Sequence, residues 1–144
     1  MITPDENALR AGHFRELKWS LQALAIPASD QLSLFPQLAA MGAHAPADEL
    51  ALDFEHWASV VHDNYEEELS PAQAGALAAI SETFTTMSGD AAEFGAELWT
   101  EEAVRSSSHW QDVRRLATVA LEAFDWPLES PPRDPDDRKA AFAQ

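Results

Sequence analysis

The apolar residues of this chain recur mostly at spacings of three and four, which is the period of an α-helix with one buried face. Four segments show this pattern, and no alternation with a period of two persists between them. The apolar positions are Leu9, Phe14, Leu17, Leu21 and Leu24; then Leu50, Phe54, Trp57, Val61 and Tyr65; then Leu77, Ile80, Phe84 and Met87; and finally Trp110, Val113, Ala117, Ala120, Leu121 and Phe124. The pattern predicts an all-α protein.

The third of these helices has the clearest predicted boundaries. Ser70 is a suitable N-cap, Pro71 suits the first turn, and Gln73 stands three residues after the cap, as in a capping box. Gly89 follows the last apolar position and predicts the helix end.

The other helices have less distinct ends. We expect the first to run from near Asp5 to Pro27, with Thr3 or Asp5 as its cap, and the second from about Ala47 to Glu67. Residues 28–46 predict a connector with a short helix around Pro36–Met41. A shorter helix or a broken pair, with Thr100 as a fresh cap, is expected over residues 90–105. The last helix is expected to follow Ser106, Ser107 and Ser108 and to end at Trp126-Pro127.

The sequence therefore predicts an all-α bundle of four to five helices with an extended, Pro-rich C-terminal tail. The acidic helical domain is expected over residues 1–126. Residues 127–144 contain four prolines in 18 residues and balanced charges, which favours an extended or partly disordered tail.

Charge adds the most informative feature. The chain has a formal net charge of −16, and the 86 residues from Trp19 to Val104 contain no lysine or arginine but 15 Asp or Glu. A negatively charged surface repels nucleic acid phosphates and anionic lipids, so binding to nucleic acid or membrane is not expected. The favoured partner is a basic protein, attracted by salt-sensitive steering.

Several kinds of chemistry have no support in the sequence. The absence of cysteine excludes disulfides, thiolate catalysis and Cys-based metal sites. No Gly-rich phosphate loop and no Gly-x-Ser-x-Gly elbow is present, so we expect neither an enzyme nor a cofactor. The N-terminus lacks the pattern of a secretory signal, and no apolar run approaches a membrane span, which favours a cytoplasmic location.

The second helix offers the one candidate for metal chemistry. Asp53 and His56 are spaced i, i+3, and His62 and Glu66 are spaced i, i+4, as ligand pairs can be in a helix bundle. The di-metal bundle pattern requires matching pairs on two helices and carboxylates on two more, and only one approximate copy occurs. A solvated helix face is the favoured interpretation, and a metal-dependent bundle enzyme is kept as an alternative.

The acidic run itself has three interpretations: a solvated face that only confers solubility, as on a cytoplasmic regulator or scaffold; an inhibitor that covers a basic active site; or a mimic of DNA phosphates. The inhibitor is the leading functional hypothesis. The acids flanking the second helix are its predicted contacts, and Trp19 and Trp126 are its aromatic candidates. These acids are Asp53, Glu55, Asp63, Glu66, Glu67 and Glu68. The last three would oppose the dipole of the helix they end.

Small size, strong acidity, a predicted all-helical fold and the lack of a catalytic motif resemble bacterial toxin-neutralising immunity proteins as a class. The resemblance is one of type and assigns no residue. It implies a non-enzymatic protein that binds and neutralises a toxin.

Overall fold

The computed structural model describes residues 3–34, 46–94 and 99–131. These residues form six α-helices and one 3₁₀ turn, with no β-strand in the described ranges. In chain order they are α1 (Pro4–Ala25), α2 (Ala28–Ser33), α3 (Pro46–Tyr65), the 3₁₀ turn (Glu66–Glu68), α4 (Pro71–Phe94), α5 (Glu101–Ser106) and α6 (Ser108–Phe124). The all-helical prediction is confirmed. The count of four to five helices is not, because the short α2 and α5 accompany four long helices.

The predicted helix starts have the expected hydrogen bonds. Thr3 and Glu6 form a capping box at α1, with the Thr3 hydroxyl accepting from the Glu6 amide at 3.1 Å. Ser70 and Gln73 form another at α4, where the Ser70 amide donates to the Gln73 side chain at 2.9 Å. The Thr100 hydroxyl caps α5 by accepting from the Ala103 amide. Side-chain caps thus satisfy amides that the first turn of a helix leaves unpaired.

Two predicted helix ends are wrong. Gly89 does not stop α4, which continues to Phe94. A glycine inside a helix costs only about 1 kcal/mol relative to alanine, which a favourable helical sequence on both sides offsets. The second long helix ends at Tyr65, and Glu66–Glu68 form a separate 3₁₀ turn.

α1 is, with α6, one of the two inner helices of the bundle. It packs against α3 and α6, and α6 packs in turn against α4, whereas α3 and α4 contact each other sparingly. The second half of α1 is buried nearly all round, polar Ser20 and Gln22 included. Leu9 is 59% exposed, although its apolar side chain was predicted to face the core. It precedes Phe14 by five residues and so lies about 140° around the helix from it, off the buried face.

A cluster of aromatic rings fills the core between α3, α4 and α6. Phe84 lies 6.1 Å from Phe54 and 5.9 Å from Trp110, measured between ring centroids. Trp99 stacks on Phe84 at 6.3 Å and meets Trp110 edge-on. The apolar positions predicted for α4 are therefore core, as expected.

The C-terminal end of α1 is held by α2, a helix that the sequence did not predict. Gln31 of α2 is fully buried, and its Nε2 donates to the carbonyls of Ala23 at 3.1 Å and Leu24 at 3.0 Å. Its Oε1 accepts from Arg114 Nη1 at 2.8 Å, and the same nitrogen donates to the Val104 carbonyl at 2.9 Å. Burial lowers the pKa of Arg114, which nevertheless stays charged. One polar network thus joins α1, α2, α5 and α6.

The chain after α6 packs on the helices at first. Asp125 adopts the left-handed conformation that ends α6, with φ of 59°. The carbonyl of Pro127 accepts a hydrogen bond from the buried Gln22 side chain at 3.1 Å. Residues 132–144 and the predicted short helix around Pro36–Met41 lie outside the described residues, so the extended tail stays a prediction.

Candidate functional site

The predicted contact acids do not form one continuous patch. Glu55 and Asp63 line the same groove between α3 and α4. Asp53 lies about 160° around α3 from Glu55, at 100° per residue, and so belongs to another side of the helix. Glu66, Glu67 and Glu68 are exposed on the 3₁₀ turn beyond α3. Of the six predicted contact acids, Glu55 and Asp63 are therefore the two that line one groove.

The groove has an apolar floor and a polar rim, with a volume of about 200 Å³. Buried Ala58 and Leu77 form part of its floor. On α3 and α4 the residues that line it follow the helical spacing i, i+3, i+4, i+7. The full lining is Glu55, Ala58, Ser59, His62, Asp63, Leu69, Ala74, Leu77, Ala78 and Ser81.

Half of the side chains that line the groove are alanine or serine, and these help to keep it open. Phe54 and Phe84 set the spacing of α3 and α4 at one end, and Leu69 lies between the two helices at the other. Between these points alanines and serines face each other and are too short to close the gap. α3 is held by α1 and α4 by α6, so the two helices do not collapse together.

The ionisable side chains that line the groove are two carboxylates, Glu55 and Asp63, and one histidine, His62. Ser81 Oγ donates to Glu55 Oε2 at 3.2 Å across the groove, and this bond fixes the half-buried Glu55 carboxylate. At the other end His62 Nδ1 lies 3.3 Å from Asp63 Oδ1, and its Nε2 lies 3.8 Å from Glu66. No lysine or arginine is among the ten described residues of the lining. The groove therefore offers carboxylates without a resident cation.

The acidic triplet beyond α3 is partly neutralised by a distant residue. Arg10 of α1 donates from Nε to Glu68 Oε1 at 2.7 Å, and this bond raises the pKa of Arg10. The Arg10 guanidinium also lies 4.6 Å from the centroid of the Phe14 ring. Glu66–Glu68 are no longer part of the α-helix, which reduces the expected conflict with its dipole. Glu68 is thus structural, whereas Glu67 has no partner among the described residues.

Replacing Glu68 with glutamine is expected to lower the free energy of unfolding by about 0.5–1 kcal/mol, since its pair with Arg10 is partly exposed. Glu67→Gln should leave stability unchanged or raise it by a few tenths of a kcal/mol, because it relieves repulsion between neighbouring acids. Urea unfolding at low salt measures both. A larger loss for Glu67→Gln than for Glu68→Gln would show that the turn is held differently.

The two tryptophans proposed as exposed contacts differ in the structure. Trp19 is only 6% exposed, so its prediction as a surface contact is wrong. It lies off the apolar stripe of α1, but the second half of α1 is enclosed on all sides and buries this position too. Trp126 is half-buried and stacks on Phe124 at 4.4 Å, with Phe14 edge-on at 6.4 Å. Trp126 is therefore partly accessible, whereas Trp19 belongs to the interior.

The geometry gives no support to the metal alternative. In residues 3–34, 46–94 and 99–131, no three His, Asp or Glu side chains converge as metal ligands. His56 is exposed and lies edge-on to Trp57 at 4.6 Å, while His62 is engaged by Asp63 and Glu66. The residues Asp53, His56, His62 and Glu66 therefore do not form one ligand set.

Sequence reasoning missed the small residues that make the groove. These residues carry no charge and belong to no motif; they are Ala58 and Ser59 on α3 and Ala74, Ala78 and Ser81 on α4. A stripe of small residues on each of two consecutive helices was the available signal. That signal predicts close helix approach as readily as a groove, so the distinction required the structure.

No family model, no curated protein and no solved structure matches this chain. Among the described residues, none of the helices combines the length and apolar character needed to cross a lipid bilayer.

Proposed function

We propose that this protein is a non-enzymatic acidic binding protein that binds a basic protein and neutralises it, as an immunity protein neutralises a bacterial toxin. The observation that carries the proposal is the groove between α3 and α4. It pairs an apolar floor with two carboxylates, Glu55 and Asp63, and its lining contains no lysine or arginine. Such a surface complements a basic segment in both shape and charge.

The charge of the chain supports the same function. A net charge of −16, with no lysine or arginine from Trp19 to Val104, creates a negative field that accelerates encounter with a basic partner. Exposed charges are screened over about 8 Å at physiological ionic strength, so association should weaken as salt is added. A neutralising protein that must bind quickly benefits from such steering.

The chemistry of the groove favours binding over catalysis. Ser81 donates a hydrogen bond to the Glu55 carboxylate, and no hydrogen bond among the described residues joins it to a histidine base. His62 lies seven residues from Glu55, about 10 Å along α3 at 1.5 Å per residue. The serine, the histidine and the carboxylate thus do not assemble as a nucleophile with its base.

The function is tested by capture on the immobilised chain at low salt from the native host. We expect one or a few basic proteins to bind and to be released by rising salt, and a captured toxin to lose its toxicity when this chain is co-expressed. A gene for a basic secreted effector next to the gene for this chain would identify the partner independently. Retention that is insensitive to salt, or no retained protein, would contradict the proposal and leave solubility as the role of the acidic surface.

A matched pair of variants locates the contact. Removing three charges near the groove, by Glu55→Gln, Asp63→Asn and Glu67→Gln, should weaken capture about tenfold or more. Removing three charges elsewhere, by Glu101→Gln, Glu122→Gln and Glu129→Gln, should weaken it only slightly. The two variants have equal net charge, so a difference between them reports position. Equal losses would place the contact outside the face around α3.

We also propose a cytoplasmic location and an extended or partly disordered tail over residues 127–144, as the sequence predicts. An acidic domain that intercepts a toxin inside the cell would act there.

A further inference from the structure

We infer that the groove between α3 and α4 receives the side chain of a single lysine or arginine of the basic partner, with the aliphatic stem on the groove floor and the cationic head at Glu55. This inference rests on the proposed function and specifies how the partner is recognised.

The floor of the groove suits an aliphatic stem. Buried Ala58 and Leu77 provide apolar surface, and Ala74 and Ala78 provide low walls on the side of α4. Lysine and arginine bury their methylene groups on apolar surface while the charged head stays near water or a carboxylate. The groove is open along one side and therefore accepts a side chain from a folded partner without a rearrangement of either helix.

The Glu55 end of the groove suits a cationic head. The Glu55 carboxylate is half-buried, and its Oε2 is oriented by Ser81 Oγ at 3.2 Å. One hydroxyl donor occupies only part of the capacity of a carboxylate, which leaves acceptor sites for an ammonium or guanidinium group. A carboxylate that is already held in place loses little conformational freedom on binding.

The Asp63 end of the groove suits the entry of the basic side chain. Asp63 is exposed and has His62 as its partner, so it remains hydrated and adds attraction at a distance. The exposed acids Glu66 and Glu67 follow α3 on the 3₁₀ turn and add negative charge near this end. An anionic or purely apolar occupant would meet repulsion or leave the Glu55 carboxylate without a cation, which favours the basic side chain over both.

The test is an NMR titration of the full chain with the peptide acetyl-Ala-Ala-Lys-Ala-Ala-amide, compared with the same peptide carrying norleucine in place of lysine. We expect saturable shifts of the backbone amides of Ser59, His62, Ala78 and Ser81 with the lysine peptide alone. Glu55→Gln should weaken binding about tenfold, as expected for loss of a charge-assisted hydrogen bond.

Groove-filling variants test the shape without changing charge. Ala78→Leu places a larger side chain on an exposed wall of the groove and should abolish saturation. Ala72→Leu makes the same exchange at an exposed position of α4 outside the groove and should bind like the wild type. Ser59→Leu on the opposite wall gives the same block if Ala78→Leu does not fold, which circular dichroism checks.

Equal binding by Ala78→Leu and Ala72→Leu would overturn the inference, as would shifts spread over the amides of Glu101 and Glu102. The proposed function would survive that result, since a basic protein could be held by the acidic surface at large. Conversely, saturation of the groove by the lysine peptide without any salt-dependent capture of a protein would contradict the proposed function and not the assignment of the groove.

Discussion

Replacing Phe84 with alanine should lower the free energy of unfolding by about 3–5 kcal/mol, the usual loss for a buried aromatic side chain. Phe84 is 4% exposed, and its ring contacts Phe54, Trp99 and Trp110 at centroid distances of 6.1, 6.3 and 5.9 Å. These neighbours belong to different parts of the chain. They cannot all move inward to fill the cavity, so the cost should lie in the upper part of the range.

Chemical unfolding followed by tryptophan fluorescence measures this loss, and the signal should change because Trp99 and Trp110 border the cavity. Leu52→Ala is a suitable control, since Leu52 is 52% exposed and its truncation should cost less than about 0.5 kcal/mol. A loss below about 1 kcal/mol for Phe84→Ala would mean that the aromatic cluster is not the core of the bundle.

The buried face and the N-cap of α4 could be predicted because both depend on residues that are close together in the sequence. Phe84 belongs to an apolar stripe on α4 whose spacing alone indicates the buried face, and the cap at Ser70 depends on residues no more than three apart. Such features are encoded over a few residues. They are therefore visible in the sequence before any tertiary contact is known.

The predictions that were wrong concern features that depend on contacts between distant residues. The sequence predicts Trp19 as a contact residue, but other helices cover the second half of α1 and bury it. The turn at Glu66–Glu68 is held by Arg10, 58 residues before Glu68 in the chain. No spacing rule connects these residues, since only the packing of α1 on α3 brings them together.

The candidate site depends both on features visible in the sequence and on features set by the packing of the helices. The acidity of Glu55 and Asp63 is evident from the sequence, and so is the lack of a lysine or arginine near them. Their selection from the six acids depends on the direction each residue takes from α3 and on the gap that α4 leaves. That gap is set by Phe54 and Phe84 and by the short side chains between them, which is a property of the packed bundle.

Replacing Gln31 with leucine should lower the free energy of unfolding by about 3 kcal/mol, because several buried polar groups would lose their partners at once. The carbonyls of Ala23 and Leu24 are the unpaired groups that every helix has at its C-terminal end. In the native protein Gln31 Nε2 satisfies both, while its Oε1 accepts from Arg114. Leucine has a similar size but neither donates nor accepts, so the loss reports hydrogen bonding more than volume.

Gln22→Leu is the matched control, since Gln22 is equally buried but makes one described side-chain hydrogen bond, to the Pro127 carbonyl. It should cost about 1 kcal/mol, the typical contribution of one such bond. Arg114→Met completes a double-mutant cycle with Gln31→Leu, and the two losses should sum to more than the loss of the double variant, because each removes the same 2.8 Å bond. Losses that add without coupling, or equal costs for both glutamines, would show that the junction of α1, α2, α5 and α6 is held by apolar packing and not by this network.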